Sequence, residues 1–381
     1  MKVKVVRQRS ARLLAILSIL LLTAVIAPPV HGAPKPEGSK VILTVRYGHD
    51  ELASSLGIES VSIAHALTKA KREPASGVIG LPDVAVSLVN GQKESIYRLE
   101  PTGMLWDPAA QQRLVPDAAT AHKLVAYANQ LRSNHYGAMI EWSDVRKLVP
   151  LKQIFTITDM GTGMSFRVQR RAGSDHADVQ PISKADSHMM KKIYNDHWSW
   201  NRRAVLVHSG QYWIAGSMNG MPHGGDGIPD NDFSGHFCLH FLGSTTHKSE
   251  TPDLAHQLMV HKAGGQLRSM LDGASPLQLA ESVVEALNHH DQDLLLELAI
   301  GLPDSEQASL LTEMHAIRSI RVNKNKDRKP PIPEDQSLSA QVQLSVSLLK
   351  QNESEHRATY TFTFERESTS AGWRMKQVIM K

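Results

Sequence analysis

A thiol is a nucleophile only as the thiolate, and nearby histidines are how proteins make thiolate near neutral pH. The chain has one cysteine, Cys238, in the segment Pro222-His223-Gly224-Gly225 … Ser234-Gly235-His236-Phe237-Cys238-Leu239-His240-Phe241. His236 stands two residues before it, His240 two after, and His223 fifteen before. With no second cysteine to pair with, it is either an inert buried thiol or a working one. Seven of the 19 histidines (His208, His223, His236, His240, His247, His256 and His261) crowd into 208–261, a density that suits acid–base chemistry or metal binding.

The metal reading finds little spacing to support it. No His-Glu-x-x-His pattern is present, and His176 with Asp178 supplies two donors without a third. Asp230-Asn231-Asp232 opens like a calcium loop, but Phe241 stands where the twelfth-position acid belongs. No metal and no cofactor is expected. Trp198-Ser199-Trp200-Asn201-Arg202-Arg203 combines aromatic faces with guanidinium groups, a set able to stack on sugar or hold carboxylates; the competing reading is two core tryptophans and a solvated arginine pair. Gln169 to His176 is a second polar stretch at a strand end. Ser217-Met218-Asn219-Gly220-Met221-Pro222 reads as a shaped loop presenting His223.

These residues need elements to position them. Short strand-like runs follow one another at 153–158, 165–170, 203–208, 212–217 and 237–241, interrupted by a helix over 184–194. This predicts a mostly-β domain over about 151–270. Thr251-Pro252-Asp253 starts a helix with Thr251 as its cap, ending near Gly264-Gly265. Upstream, a strand at 41–46, a helix at 59–72, strands at 84–88 and 94–99 and a helix at 116–132 predict a small α+β module over 33–150; Asn90-Gly91 marks a turn whose spacing suggests a longer loop. Downstream, helices at 276–287, 291–299 and 306–317 and a Pro-rich stretch at 323–336 lead into alternating runs at 338–349, 356–366 and 372–380. The expected fold is multidomain α+β, with a central mostly-β catalytic domain between two smaller α+β modules.

Residues 1–32 have the features of a secretory signal: a basic start (Lys2, Lys4, Arg7, Arg9, Arg12), an apolar run from Leu13 to Ala27 too short for a comfortable membrane span, Pro28-Pro29, and small residues before Ala33. The formal charge is +4, and removing those five cations leaves about −1, so no nucleic-acid partner is inferred. A composition of 41% hydrophobic and 21% charged residues argues for folded domains, and 349 residues after position 32 argue for two or three of them.

The His-Gly at 223–224, a spacer, and Ser234-Gly235-His236-Phe237-Cys238 resemble the peptidoglycan L,D-transpeptidases, which carry a His-Gly, a spacer of similar length and then Ser/Thr-His-Gly-Cys. The likeness covers about 150–250. It departs from the pattern at Phe237, where the family has Gly, with a Gly at 235 instead, and at His240, where the family has Arg or Asn. The resemblance implies an exported cysteine acyl-transferase in the cell envelope or outside it. Cys238 would be the nucleophile and His223 or His236 the base. Backbone N–H groups near Gly235, Phe237 and Cys238 would hold the oxyanion, and Trp198, Trp200, Arg202, Arg203 and His240 would contact substrate. The partners implied are peptidoglycan stem peptides, with transfer to a second amine giving a cross-link and transfer to water giving carboxypeptidase activity. The 275–381 region resembles the nuclear-transport-factor-like cone fold by its order of elements. The alternatives are a zinc-dependent cell-wall hydrolase using His223, His236, His240 or Cys238 as ligands, and a non-catalytic wall-binding protein.

Overall fold

The computed structural model describes residues 6–8, 39–48, 51–75, 83–225, 227–246, 249, 251–323 and 336–381. The signal read over 1–32 (except 6–8), most of the linker at 33–40, Asp226, His247 and most of the Pro-rich stretch lie outside the described residues. The chain divides into two compact units, residues 1–135 and 136–381.

The first unit is an antiparallel sheet with two helices. Its strands are β1 (Val6–Gln8), β2 (Lys40–Val45), β3 (Ala53–Ile58), β4 (Lys71–Pro74), β5 (Val84–Asn90), β6 (Lys93–Leu99), β7 (Leu105–Asp107) and β8 (Gln112–Val115), in the order β1-β3-β2-β5-β6-β7-β8-β4. Alternation buries Val41, Leu43 and Val45 of β2 and Val84, Val86 and Leu88 of β5. Helix α1 (Val61–Lys69) is capped by Ser60, whose side chain accepts the Ile63 N–H. Helix α2 (Ala118–His135) packs on β2 and β3 and buries Leu124, Ala128 and Leu131. The β5–β6 turn is tighter than its sequence suggests. Asn90 pairs with Lys93, leaving a two-residue loop in which Gly91 adopts φ 62°, because both strands run past their last apolar residue.

In the second unit, six strands close into a barrel in the order β10-β11-β14-β13-β12-β9, every pairing antiparallel. They are β9 (Ile154–Asp159), β10 (Ser165–Ala172), β11 (Ala177–Pro181), β12 (Ser199–Ser209), β13 (Tyr212–Gly220) and β14 (Phe237–His240). Helix α3 (Trp142–Leu148) precedes the barrel and α4 (Lys184–Ile193) connects β11 to β12. One set of alternating positions forms a single core: Phe155 and Ile157, Phe166 and Val168, Ala177 and Val179, Phe237 and Leu239, Ile214 and Met218, Val205 and Val207. Trp142 and Val145 belong to that same core, with Trp142 stacked on Phe241 at 5.9 Å. Residues 142–148, grouped by sequence with the N-terminal module, are thus held by barrel side chains.

Helix α5 (Leu254–Ala263) covers the opposite face of β12, β13 and β14. Its cap is Asp253, which accepts the His256 N–H at 2.9 Å, two residues later than the Thr251 expected from the proline. Then follow α6 (Leu267–Asp272), α7 (Pro276–His289), α8 (Gln292–Leu298), α9 (Asp304–Ala316) and an antiparallel meander of β15 (Ile317–Val322), β16 (Ser339–Lys350), β17 (His356–Glu365) and β18 (Arg374–Met380). Helix α7 opens on a capping box, Ser275 with Gln278 and Pro276 at its first turn. The chain is therefore a mixed helix-and-sheet protein with several antiparallel sheets and one six-stranded barrel.

Candidate active site

The strand period of two places the chemistry. Ala177 and Val179 of β11, and Phe237 and Leu239 of β14, turn into the core. The residues between them turn the other way, and the register sets Asp178 opposite Cys238 and Ser217 opposite His240. Polar and ionisable side chains thus gather on the face under α5, where Cys238 is 8% exposed.

The loop from β13 to β14 brings His223 to this thiol. His223 and His236 exchange backbone hydrogen bonds at 2.9 and 2.8 Å. Two glycines allow the approach. Gly235 has φ +85°, and a Cβ there would lie 2.1 Å from the His223 carbonyl oxygen; Gly224 has φ +74°, and a Cβ would lie 2.4 Å from the His236 ring. The His223 Nδ1–H donates to the Met221 carbonyl at 2.8 Å, which leaves Nε2 facing Cys238 Sγ at 3.3 Å. Trp200, 49% exposed, leans over the His223 ring at 5.0 Å.

A second histidine, His176, approaches from the start of β11. Its Nδ1 lies 2.9 Å from the Thr245 carbonyl and its Nε2 3.2 Å from Asp178 Oδ1. Burial disfavours charge on this ring, but hydrogen bonds with Asp178, Cys238 and Thr245 outweigh burial and hold its pKa up at about 10. The Cys238 thiol is likewise pushed up by burial and pulled down further by hydrogen bonds and charge from His176 and His223, to about 7. His223 is held above the ordinary histidine value, chiefly by its hydrogen bond with Cys238. The arrangement suits a thiolate held among imidazolium groups.

Behind the thiol, three imidazole rings stack. His176 lies on His240 at 4.3 Å, and His240 on His256 of α5 at 3.7 Å. The Ser244 hydroxyl donates to the Phe241 carbonyl and so accepts from His240 Nδ1 at 3.1 Å. His256 bonds Ser217 Oγ at 2.9 Å, and burial, then the charges of His240 and Arg202, hold it well below the ordinary histidine value. Among the described residues, His176, Cys238 and His240 offer donor atoms within 4.8 Å of one another. The two ring planes lie 15° apart and face to face, so their in-plane lone pairs do not converge on a point about 2 Å from both, as tetrahedral zinc needs. The set fits a hydrogen-bonded thiol better than a metal.

The residues singled out in the sequence separate here. Cys238, His223 and His236 come together, with His236 edge-on to His223 at 4.5 Å and its Nε2 3.6 Å from Asp178. Phe237 is a core residue, packed with Phe166 at 6.2 Å and Phe233 at 5.9 Å. Its backbone and that of Cys238 pair with Val179 and Asp178 of β11 and lie beyond the β13 pairing, which covers Leu239 and His240. Trp200 borders the site, whereas Trp198 packs edge-on to Phe233 at 5.3 Å against the core. Arg203 forms a bidentate pair with the fully buried Asp159 at 2.7 and 2.8 Å. Arg202 bonds the Trp200 carbonyl at 2.7 Å and pairs with Asp253 at 3.4 Å. His240 is 1% exposed beneath the thiol, so it supports the site from below and presents no face to a substrate. Asp230-Asn231-Asp232 is a turn: the Asn231 amide donates to Pro181 and its oxygen accepts the Phe233 N–H.

Sequence reasoning left His176 and Asp178 as an incomplete metal pair. The available signal was the alternation His176-Ala177-Asp178-Val179, with polar residues on one side and apolar on the other. No protein-family model matches the chain, and no curated protein matches it in sequence.

Proposed function

We propose that this chain is an exported cysteine acyl-transferase of the L,D-transpeptidase type, acting on peptidoglycan stem peptides. The observation that carries the reading is the 3.3 Å contact between Cys238 Sγ and His223 Nε2, with the thiol brought down to about 7. The Cys238 thiolate attacks the carbonyl carbon that links the third stem residue to a terminal D-amino acid. The carbon–nitrogen bond breaks, the departing amine takes a proton from His223, and a thioester remains. An acceptor amine then attacks the thioester, gives a proton to His223, and the electron pair of the broken C–S bond returns to sulfur. Of the N–H groups that the resemblance assigns to the oxyanion, those of Phe237 and Cys238 point to opposite edges of β14, one of them into the β11 ladder, so one of the two is left to donate, and the His236 N–H is spent on the His223 carbonyl. Trp200 offers a face for stem or sugar beside His223.

The test is intact-mass spectrometry of residues 33–381 incubated with a carbapenem, an acylating mimic of the terminal stem bond. One adduct on the wild type and none on Cys238→Ser supports the reading. A thiol that reacts only after denaturation would sink it in favour of a wall-binding protein, and stoichiometric zinc in the same preparation would favour the hydrolase.

A further inference from the structure

Two histidines reach Cys238, and their surroundings differ in kind. Around the thiol lie His176 and Asp178 at β11, His223 and His236 from the β13–β14 loop, His240 on β14 and, through the ring stack, His256 of α5. A carbonyl oxygen and an ionised carboxylate oxygen can only accept hydrogen bonds. His176 has one of each, the Thr245 carbonyl at Nδ1 and Asp178 at Nε2, with the Cys238 sulfur as a further neighbour of the ring's donor atoms within 4.8 Å. Removing either proton would turn a lone pair of a 1% exposed ring onto an oxygen lone pair. His223 has a carbonyl at Nδ1 and only the sulfur at Nε2. Its neutral form accepts from a thiol or amine and its charged form donates to a thiolate or a leaving amine, so both forms keep their partners. It is also half-buried under an exposed Trp200, where a substrate amine can reach it.

We propose, on the acyl-transfer reading of Cys238, that the two histidines divide the work: His176, positioned by Asp178, remains an imidazolium that fixes the thiolate, and His223 alone exchanges protons with the departing and attacking amines. The proton count closes on this scheme. In acylation His223 gives one proton to the departing nitrogen as the C–S bond forms and the C–N bond breaks. In transfer it takes one from the attacking amine as the C–S bond breaks. His176 carries the same protons at every stage, so sulfur leaves the thioester as an anion already paired with a cation. Asp178 is a positioning residue that acts through the His176 ring.

The experiment is the pH dependence of iodoacetamide alkylation of native, full-chain protein, read by intact mass. Cys238 is the one thiol in the chain, so the adduct reports it alone and no substrate is needed. The wild-type midpoint is expected near 7. His176→Asn is expected to raise it by about one to two pH units, the effect of losing an adjacent opposite charge. Asp178→Asn keeps the ring and its packing, and serves where His176→Asn does not fold. Losing the partner of His176 raises the midpoint and losing the anion opposite the sulfur lowers it, so a rise smaller than that of His176→Asn is expected. His223→Asn is expected to raise it less, yet to slow carbapenem acylation at pH 8 by about 100-fold or more, the usual worth of a proton-transferring group. An unchanged midpoint in the folded β11 variants, or a larger rise in His223→Asn than in His176→Asn, overturns the division of roles. A shifted midpoint with no carbapenem adduct on the wild type leaves the His176–thiolate pair standing and removes the transpeptidase reading instead.

Discussion

Introducing the glycine of the transpeptidase pattern by Phe237→Gly is expected to damage the protein. In the family pattern a glycine precedes the cysteine, and here the residue before it is fully buried. Because side chains alternate along β14, Phe237 turns away from the thiol and into the barrel core, against Phe166 and Phe233. Truncating a buried phenylalanine to alanine costs about 3–5 kcal/mol. Going on to glycine in a strand adds about 0.5–1 kcal/mol of backbone entropy. The sum of about 4–6 kcal/mol is a large share of the about 5–15 kcal/mol that holds a typical domain together. Urea unfolding followed by near-UV circular dichroism should show the midpoint falling by more than about 1 M, with Phe237→Leu, which keeps most of the apolar volume, losing under about 1.5 kcal/mol. The core assignment fails if Phe237→Gly unfolds within about 1 kcal/mol of wild type and acylates faster, because then position 237 faces the substrate.

Gly235→Ala should strain a backbone at φ +85° and drive a methyl group toward the His223 carbonyl, slowing acylation and costing about 1–3 kcal/mol, whereas Gly225→Ala, with open space around it, should change neither; thermal melts and carbapenem mass shifts on both variants check the contrast. The imidazolium of His176 has its own pH signature. Its folded pKa of about 10 lies above the ordinary 6.5, so its stabilisation is present in full below about pH 6.5 and is lost as pH rises through about 10. Melting temperature should therefore fall progressively between about pH 6.5 and 10, and a His176→Asn variant with an equal fall would show that other groups cause it.

How much of this was legible depends on whether the signal was local. Cys238, His223 and His236 sit in one short run, and Gly224 and Gly235 mark where the chain must double back, so the heart of the site could be read directly. The capped helices were readable for the same reason: Ser275-Pro276 with Gln278 states the start of α7 in four residues. The pairing of Arg203 was not legible because its partner, Asp159, is 44 positions away on a neighbouring strand, and a charge pair across a barrel leaves no trace in a run of sequence. His240 was assigned to substrate because two residues from the cysteine means the same face of a strand, which is correct; that α5 would cover this face was not visible from β14. His176 and Asp178 went unassigned because β11 is a five-residue strand between two polar turns, and its neighbour in the barrel, β14, follows it by some 55 residues.

The ring stack explains why the site needs elements well outside the motif. Two unit charges about 4 Å apart repel by about 4 kcal/mol at an effective dielectric of 20, so the positive groups around the stack oppose a proton on His256, which burial already disfavours. With His256 kept neutral by burial, the charge is confined to the end of the stack that touches Asp178 and the thiol. That selection works only while His256 is pressed against His240, and His256 belongs to α5. Helix α5 is tied at its start through Asp253 to Arg202 and at its end through the buried Lys262 to Asp291, the cap of α8, at 3.2 Å. Burial opposes ionisation of Asp291, and Lys262 and the Leu294 N–H overcome it, so the pair is charged where it anchors the helix. The helices after the barrel therefore hold down the element that keeps the positive charge beside Cys238, a structural reason for the C-terminal module to be fixed to this site.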